Sequence, residues 1–338
     1  MRHSAPVGTG RRLPRLGFAG VGWVGRHRLA AIAGSGRASI TAIADPSAAS
    51  RCAAASSLGQ VAVVETFDEL LACDLDGVVI ATPNALHAEQ AVAALDRGLA
   101  VFCQKPLART VAETRRVIDT ARAANRLLGV DFCYRHTAAV RQVRESMRSG
   151  KVGDVFAADL VFHNAYGPDK AWFYDRTQSG GGCVIDLGSH MVDLALSLLD
   201  QPRIAHLESR LFARGAPWRA NDPVAEDYAE IRLDLETGAT ARIACSWHLS
   251  AGQDAVIGAT FYGTAGAAGL RNVNGSFYDF VAERMVGTSR TTLAMPPDDW
   301  GGRAAVAWVR QLARDPGYDA AVEEVLPVAS VIDEVYGR

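Results

Sequence analysis

Asp186, His190 and Asp193 recur at i, i+4 and i+7 behind a run of three glycines, Gly180-Gly181-Gly182. That spacing places all three on one face of a helix, while Val184, Ile185, Leu187, Met191, Val192, Leu194 and Leu196 could bury the other faces. An imidazole beside a carboxylate suits proton transfer, because His titrates near neutral pH and the carboxylate orients and stabilises its charged form. Plainer uses fit the same residues: Asp186 as a helix cap, His190 as a satisfied interior histidine, Asp193 as the counter-ion of a nearby arginine. No further ligand cluster accompanies them, so no metal is expected.

Three other segments carry chemistry. Gly20-Val21-Gly22-Trp23-Val24-Gly25 matches G-x-G-x-x-G, after a predicted strand and at the start of a predicted helix. The first glycine permits a tight turn, the second lets a pyrophosphate approach the backbone, and the third lets helix and strand pack closely. Asp45 ends the second strand 20 positions beyond Gly25, where an acid accepts hydrogen bonds from adenosine ribose hydroxyls. A carboxylate there repels a 2′-phosphate, which favours NAD over NADP; Arg51 is the counter-argument for NADP. Thr82-Pro83-Asn84, with His87, follows the fourth strand, where ligands bind in open parallel sheets, although Asn84 reads most simply as a helix cap and His87 as a partly exposed helix residue. Gln104-Lys105-Pro106 follows the fifth. An ammonium there can bond a substrate hydroxyl and favour the alkoxide that develops as hydride leaves; a surface lysine would fit the same sequence.

These residues need elements to hold them. Candidate strands Leu16–Ala19, Ile40–Ala44, Val61–Val64, Gly77–Ala81, Ala100–Cys103 and Leu127–Val130 are apolar throughout and alternate with helices such as Ala85–Arg97 and Val111–Ala124. That pattern predicts a doubly wound parallel sheet covered on both faces, a Rossmann domain over residues 15–133. Residues 1–14, with three arginines, are expected to form a disordered tail and not a cleaved signal, which would take the first strand with it. After Tyr134 a helix over Ala138–Ser149, a strand over Val155–His163 and the glycine-led helix ending near Leu199 are expected. Strand candidates Ala205–Phe212, Tyr228–Leu235, Ala239–Leu249 and Ala255–Tyr262 follow, then helices Gly302–Ala313 and Ala320–Tyr336. Residues 134–338 thus read as an α+β domain with a large, mostly antiparallel sheet, one face packed and one open, and a last helix free to return to the first domain. A second subunit is the simplest cover for an open face, giving a homodimer or homotetramer.

The length of 338 residues favours two domains, and 35 basic against 37 acidic residues give no nucleic-acid surface. Six scattered cysteines without a C-x-x-C pair favour reduced thiols in a cytoplasmic protein, and no apolar run reaches transmembrane length.

Together these residues resemble the Gfo/Idh/MocA oxidoreductases, which include inositol and sugar dehydrogenases. The likeness runs through Gly20-x-Gly22-x-x-Gly25, Asp45, Thr82-Pro83-Asn84 with His87, Lys105-Pro106, Tyr134-Arg135, and Gly181-Gly182 with Asp186, Gly188, His190 and Asp193. It implies NAD, with NADP as the alternative, bound by Gly20, Gly22, Trp23, Val24, Gly25, Asp45, Thr82, Pro83, Asn84, His87, Gln104 and Lys105. It also implies that Lys105, Asp186 and His190 are catalytic, acting on a secondary alcohol or ketone of a sugar, cyclitol or related polyol. Arg135, Tyr166 and Trp172, with Asp186 and His190, are the expected substrate contacts, and Lys105-Pro106 the family's cis-proline turn. One position departs: Gln104 stands where the family usually has Glu. A glycosidase that keeps and recycles NAD, or a silent dinucleotide sensor, are the rival readings; the sensor would not need Lys105, Asp186 and His190.

Overall fold

The computed structural model describes residues 12–338. The expected tail lies outside the described residues except for residues 12–14. There Arg12 pairs with Asp76 at 2.9 Å and the Pro14 carbonyl accepts the Ser39 N–H, so these three belong to the first domain.

Six strands form the first sheet: β1 (Arg15–Ala19), β2 (Ser39–Ala44), β3 (Ala62–Val64), β4 (Gly77–Ile80), β5 (Ala100–Cys103) and β6 (Leu128–Val130). All pairs are parallel and the order is β3-β2-β1-β4-β5-β6, the doubly wound arrangement with its switch point between β1 and β4. Helices α1 (Trp23–Ser35), α2 (Ala48–Ala55), α3 (Phe67–Leu71), α4 (Asn84–Asp96) and α5 (Val111–Ala123) alternate with the strands. The central strands β4 and β5 are buried along their whole length, as apolar runs covered on both faces must be.

Beyond the sheet come α6 (Ala138–Arg148), β7 (Val155–Asn164), the short α7 (Arg176–Ser179) and α8 (Ser189–Leu198), entered through a wider π turn over Val184–Gly188. The second sheet is completed by β8 (Ile204–Ala213), β9 (Ala216–Pro217), β10 (Tyr228–Leu235), β11 (Thr240–Ser246), β12 (Ala255–Gly263), β13 (Gly266–Asn272), β14 (Phe280–Val286) and β15 (Ser289–Ala294). Its order is β15-β14-β13-β12-β7-β11-β10-β8-β9, and only the β7–β11 pair is parallel. Along β10, Ala229, Ile231, Leu233 and Leu235 are buried while Glu230 and Arg232 are exposed, so one face packs on helices and the other stays open. The open face carries charges of both signs, Asp159, Glu208, Arg210, Glu230, Arg232 and Arg242, around a shallow hollow of about 790 Å³.

The last helices tie the two sheets together. Trp308, Val309 and Leu312 of α9 (Arg303–Arg314) share a core with Leu16, Phe18 and Phe102 of the first sheet, and the Trp308 and Phe102 rings lie 5.6 Å apart. Helix α10 (Val325–Tyr336) packs against both α5 and α8. Among the described residues no helix is long and apolar enough to cross a membrane.

Candidate active site

The glycine turn between β1 and α1 is shaped by what a side chain would hit. Gly20 has φ +82°, and a Cβ there would lie 2.5 Å from the Ala81 carbonyl oxygen; at Gly25 it would lie 2.1 Å from the Gly20 oxygen. Gly22 faces open space. No side chain caps α1, which begins with Trp23 and Val24, so its first N–H groups are free to meet an anion. Asp45 braces this turn: its Oδ2 accepts the Val21 N–H at 2.9 Å and its Oδ1 the Ser47 N–H at 2.9 Å. Each oxygen keeps a further lone pair for ribose hydroxyls. Arg51 donates to the Asp45 backbone carbonyl at 2.6 Å, so it is not merely a solvated charge. Open backbone at Gly22, an uncapped helix start and an acceptor at Asp45 fit a nicotinamide dinucleotide.

Around the Thr82 turn two expectations are corrected. Asn84 is buried and its Nδ2 donates to the Ser179 carbonyl at 2.8 Å, so it links α4 to α7, while Pro83 occupies the cap position. His87 is 1% exposed, with one ring nitrogen 2.7 Å from the Pro106 carbonyl oxygen and the other 2.7 Å from that of Thr82. Both its ring nitrogens face backbone carbonyls inside the protein, so His87 is not partly exposed. It fastens the Thr82 turn to the Lys105–Pro106 turn, whose peptide bond is cis. The Thr82 hydroxyl donates to Gln90 Oε1 at 2.6 Å.

Lys105, at the end of β5, reaches across to the π turn. Its Nζ donates to Asp186 Oδ1 at 2.8 Å and to the Asp186 backbone oxygen at 2.6 Å, with both side chains 16% exposed. An ammonium has three donors, so one is left for a ligand. The other carboxylate oxygen, Oδ2, accepts the indole N–H of Trp247 at 3.1 Å. Trp247 was expected to belong to the sheet; it lies just beyond β11, buried, and orients Asp186. His190, on α8, sits edge-on to Tyr134 with ring centroids 4.8 Å apart, and its Nδ1 is buried without a hydrogen-bond partner. Burial, and then the charges of Lys105 and Arg28, hold the imidazole well below its ordinary pKa. A neutral ring is able to accept a proton.

Asp193 does not join this group. It is buried against Arg135, whose guanidinium bonds both its oxygens at 2.6–3.0 Å and Glu324 at 2.8 Å. The counter-ion reading of Asp193 therefore holds. Arg135, an expected substrate contact, commits three of its five N–H groups to these ion pairs. Tyr166 is 56% exposed and donates to Asp254 at 2.6 Å, and Trp172 stacks on Phe173 at 3.8 Å. Tyr174 lies edge-on to Trp247 at 5.5 Å, and burial and the Asp186 charge raise its phenol pKa.

Glu226 is the other residue the sequence did not single out. Fully buried, its Oε1 accepts the N–H groups of Gly182 at 2.9 Å and Val184 at 3.0 Å and the Tyr336 hydroxyl at 2.6 Å. It thereby caps the segment that presents Asp186 and His190. Burial raises its pKa against these hydrogen bonds. No signal of period or motif marks an acid in the loop before β10. Among the described residues, no group of three or more His, Cys, Asp or Glu side chains is placed to hold a metal ion.

Both halves of the chain match known protein families. Residues 15–132 match the description "Oxidoreductase family, NAD-binding Rossmann fold", and residues 140–268 match "GFO/IDH/MocA C-terminal domain". A 1,5-anhydro-D-fructose reductase from Ensifer adhaerens is 39% identical over 132 residues, 38% of this chain and 39% of that protein. A D-glucoside 3-dehydrogenase from Escherichia coli (strain K12) is 28% identical over 211 residues, 60% of each. The chain thus aligns with less than two thirds of the length of either relative. Among solved structures, a 3-ketoreductase from Actinomadura kijaniata in complex with NADP and TDP-benzene superposes with a TM-score of 0.81 at 22% identity, covering 96% of this chain and 97% of that one. With both halves matched in order, this chain belongs to the Gfo/Idh/MocA family of oxidoreductases.

Proposed function

We propose that the protein is an NAD(P)-dependent oxidoreductase acting on a secondary alcohol or ketone carbon of a sugar, cyclitol or related polyol. The observation that carries this reading is the Lys105–Asp186 contact across the two domains, beside a buried imidazole held neutral. A nicotinamide dinucleotide, when bound, takes up or supplies the hydride. In the oxidative direction His190 accepts the hydroxyl proton, and the free N–H of the Lys105 ammonium steadies the oxygen as its negative charge grows. Asp186, fixed by Lys105 and by the buried Trp247 indole, keeps that ammonium aimed, and the exposed Tyr174 offers an aromatic face for the C–H surface of a ring. The relatives whose names carry a sugar substrate support that substrate class for this chain. Asp45 favours NAD, and Arg51 beside it leaves room for NADP.

Recombinant protein is to be mixed with NAD or NADP and a panel of sugars, glycosides, inositols and their keto forms, following nicotinamide absorbance. A steady, substrate-dependent change supports the proposal. Glycoside cleavage with no net NADH, or tight dinucleotide binding with no turnover across the panel, refutes it.

A further inference from the structure

The residue before Lys105 is Gln104, where the family usually carries a carboxylate. The structure provides one from another strand. Asp131 follows β6 directly, is 0% exposed, and receives the Gln104 side-chain amide on its Oδ2. The same oxygen accepts Arg28 Nε at 2.5 Å, from the helix that the glycine turn opens. Arg28 is itself 7% exposed, and the Asp131 charge is the chief influence raising its pKa against the cost of burial. Asp131 thus joins three elements at one atom: α1, the end of β5 and the end of β6.

We infer that Asp131 is the positioning carboxylate for the Lys105 turn and fixes Gln104 as a hydrogen-bond acceptor in the cleft. This rests on the oxidoreductase reading. An amide has its NH₂ and its carbonyl at opposite corners. With Nε2 held by Asp131, Oε1 turns away from it, and Gln104 is partly exposed beside Lys105. The residue therefore offers an oxygen to a ligand hydroxyl, of the cofactor ribose or of the substrate, as a glutamate would, without its charge. The charge has moved to position 131, where it neutralises buried Arg28. Arg28 is also one of the two cations that depress His190, so an uncompensated Arg28 would reach the catalytic base.

Carboxylate and amide are then exchangeable between the two positions, which a double-mutant cycle measures. Asp131→Asn leaves Arg28 unpaired and lets the Gln104 amide turn over. Its kcat should fall about 10²-fold, the scale of a small misplacement of a reacting group. Gln104→Glu sets two carboxylates in contact and should lower kcat about tenfold. The double variant Gln104→Glu/Asp131→Asn restores one carboxylate, one amide and the acceptor at 104, and its kcat should return to within about threefold of the parent. All four proteins are compared at saturating substrate and cofactor after circular dichroism shows them folded. The same cycle is run on NADH affinity by fluorescence and on thermal melting. If Asp131→Asn does not fold, recovery of folding and turnover in the double variant relative to Gln104→Glu alone decides the matter. A double variant whose loss equals or exceeds the product of the single losses overturns the inference. If no protein, the parent included, turns over any polyol, the oxidoreductase reading fails, while additive NADH affinities and melting temperatures would separately sink the exchange.

Discussion

Trp247→Phe isolates one hydrogen bond in the proposed site. The substitution keeps an aromatic ring in a position 3% exposed and removes only the indole N–H that lies 3.1 Å from Asp186 Oδ2. Hydrogen bonds to a charged group contribute about 1.5–3 kcal/mol, and leaving a buried carboxylate oxygen unpaired sits at the upper end. The Asp186 side chain is 16% exposed, so water recovers part of the loss, and about 2 kcal/mol is the working value. Ground-state stability should drop by about that amount in a urea titration, with the slope unchanged. Freed from one anchor, Asp186 no longer fixes the Lys105 ammonium. About half of the 2 kcal/mol expressed in the transition state corresponds to a roughly fivefold lower kcat. Dinucleotide affinity should be unchanged, because the Trp247 N–H bonds Asp186 whereas the glycine turn is braced by Asp45. Parental stability and turnover in Trp247→Phe would refute the claim that Trp247 orients Asp186.

Further outcomes test the remaining assignments. His190→Ala should lower kcat about 10²–10⁴-fold, the usual worth of a general base, with NADH binding by fluorescence titration little changed. Because burial and two cations lower the His190 pKa, the ring stays neutral below the ordinary 6.5, so oxidative kcat/KM should hold its plateau at pH 6.5 and fall only at more acid pH. The same shift makes the unfolded chain the better proton binder below pH 6.5, so the contribution of His190 to stability declines as pH falls through that window; a stability profile insensitive to His190→Gln would contradict this. Glu226→Ala strands the N–H groups of Gly182 and Val184 and should cost about 3 kcal/mol in a urea melt, whereas Glu226→Gln, which keeps an acceptor at Oε1, should recover most of it. Asp45→Ser should weaken NAD and improve the ratio of kcat/KM for NADP over NAD, since the carboxylate that repels a 2′-phosphate is gone while Arg51 remains.

The first domain was legible nearly strand for strand because its signals are local. Central strands such as Val78–Ile80 are apolar on both faces, and helices α4 and α5 fall within a residue of their expected limits. The second sheet was read only as far as β12, and without the two-residue β9. Strand β13 begins Gly266-Ala267-Ala268-Gly269, residues with little intrinsic strand preference, and β15 is mostly exposed, so its Ser289–Ala294 has no buried face to impose alternation. Those strands exist because β12 offers an edge to pair with, a non-local cause. The site divides the same way. Lys105, Asp186 and His190 stand out by residue type and spacing. Trp247, Tyr174, Glu226 and Asp131 do not, because their value lies in partners 27 to 110 positions distant or in loops without period. Arg135 shows the same limit: sequence reveals a guanidinium but not that Asp193 and Glu324 pair with it.

The three glycines before Asp186 bear on this point, since a glycine run reads as freedom and here it is confinement. Gly180 has φ +88°, a conformation that side-chain-bearing residues adopt only with strain. Gly181 lies where a Cβ would meet the Tyr336 hydroxyl at 2.1 Å, and Gly182 where it would meet the Glu226 carbonyl oxygen at 2.0 Å. The chain can thus pass between the last helix and the loop before β10 only without side chains. Arg338 closes the arrangement, donating to the carbonyls of Gly180 and of Arg109, which is four residues beyond Lys105. Both halves of the proposed catalytic contact are therefore fastened to the same terminal residues: the Asp186 segment through Gly180, Glu226 and Tyr336, and the Lys105 loop through Arg109. A cleft that must hold an ammonium 2.8 Å from a carboxylate on another domain needs such a common anchor, because either side alone could drift by the ångström that positioning does not tolerate.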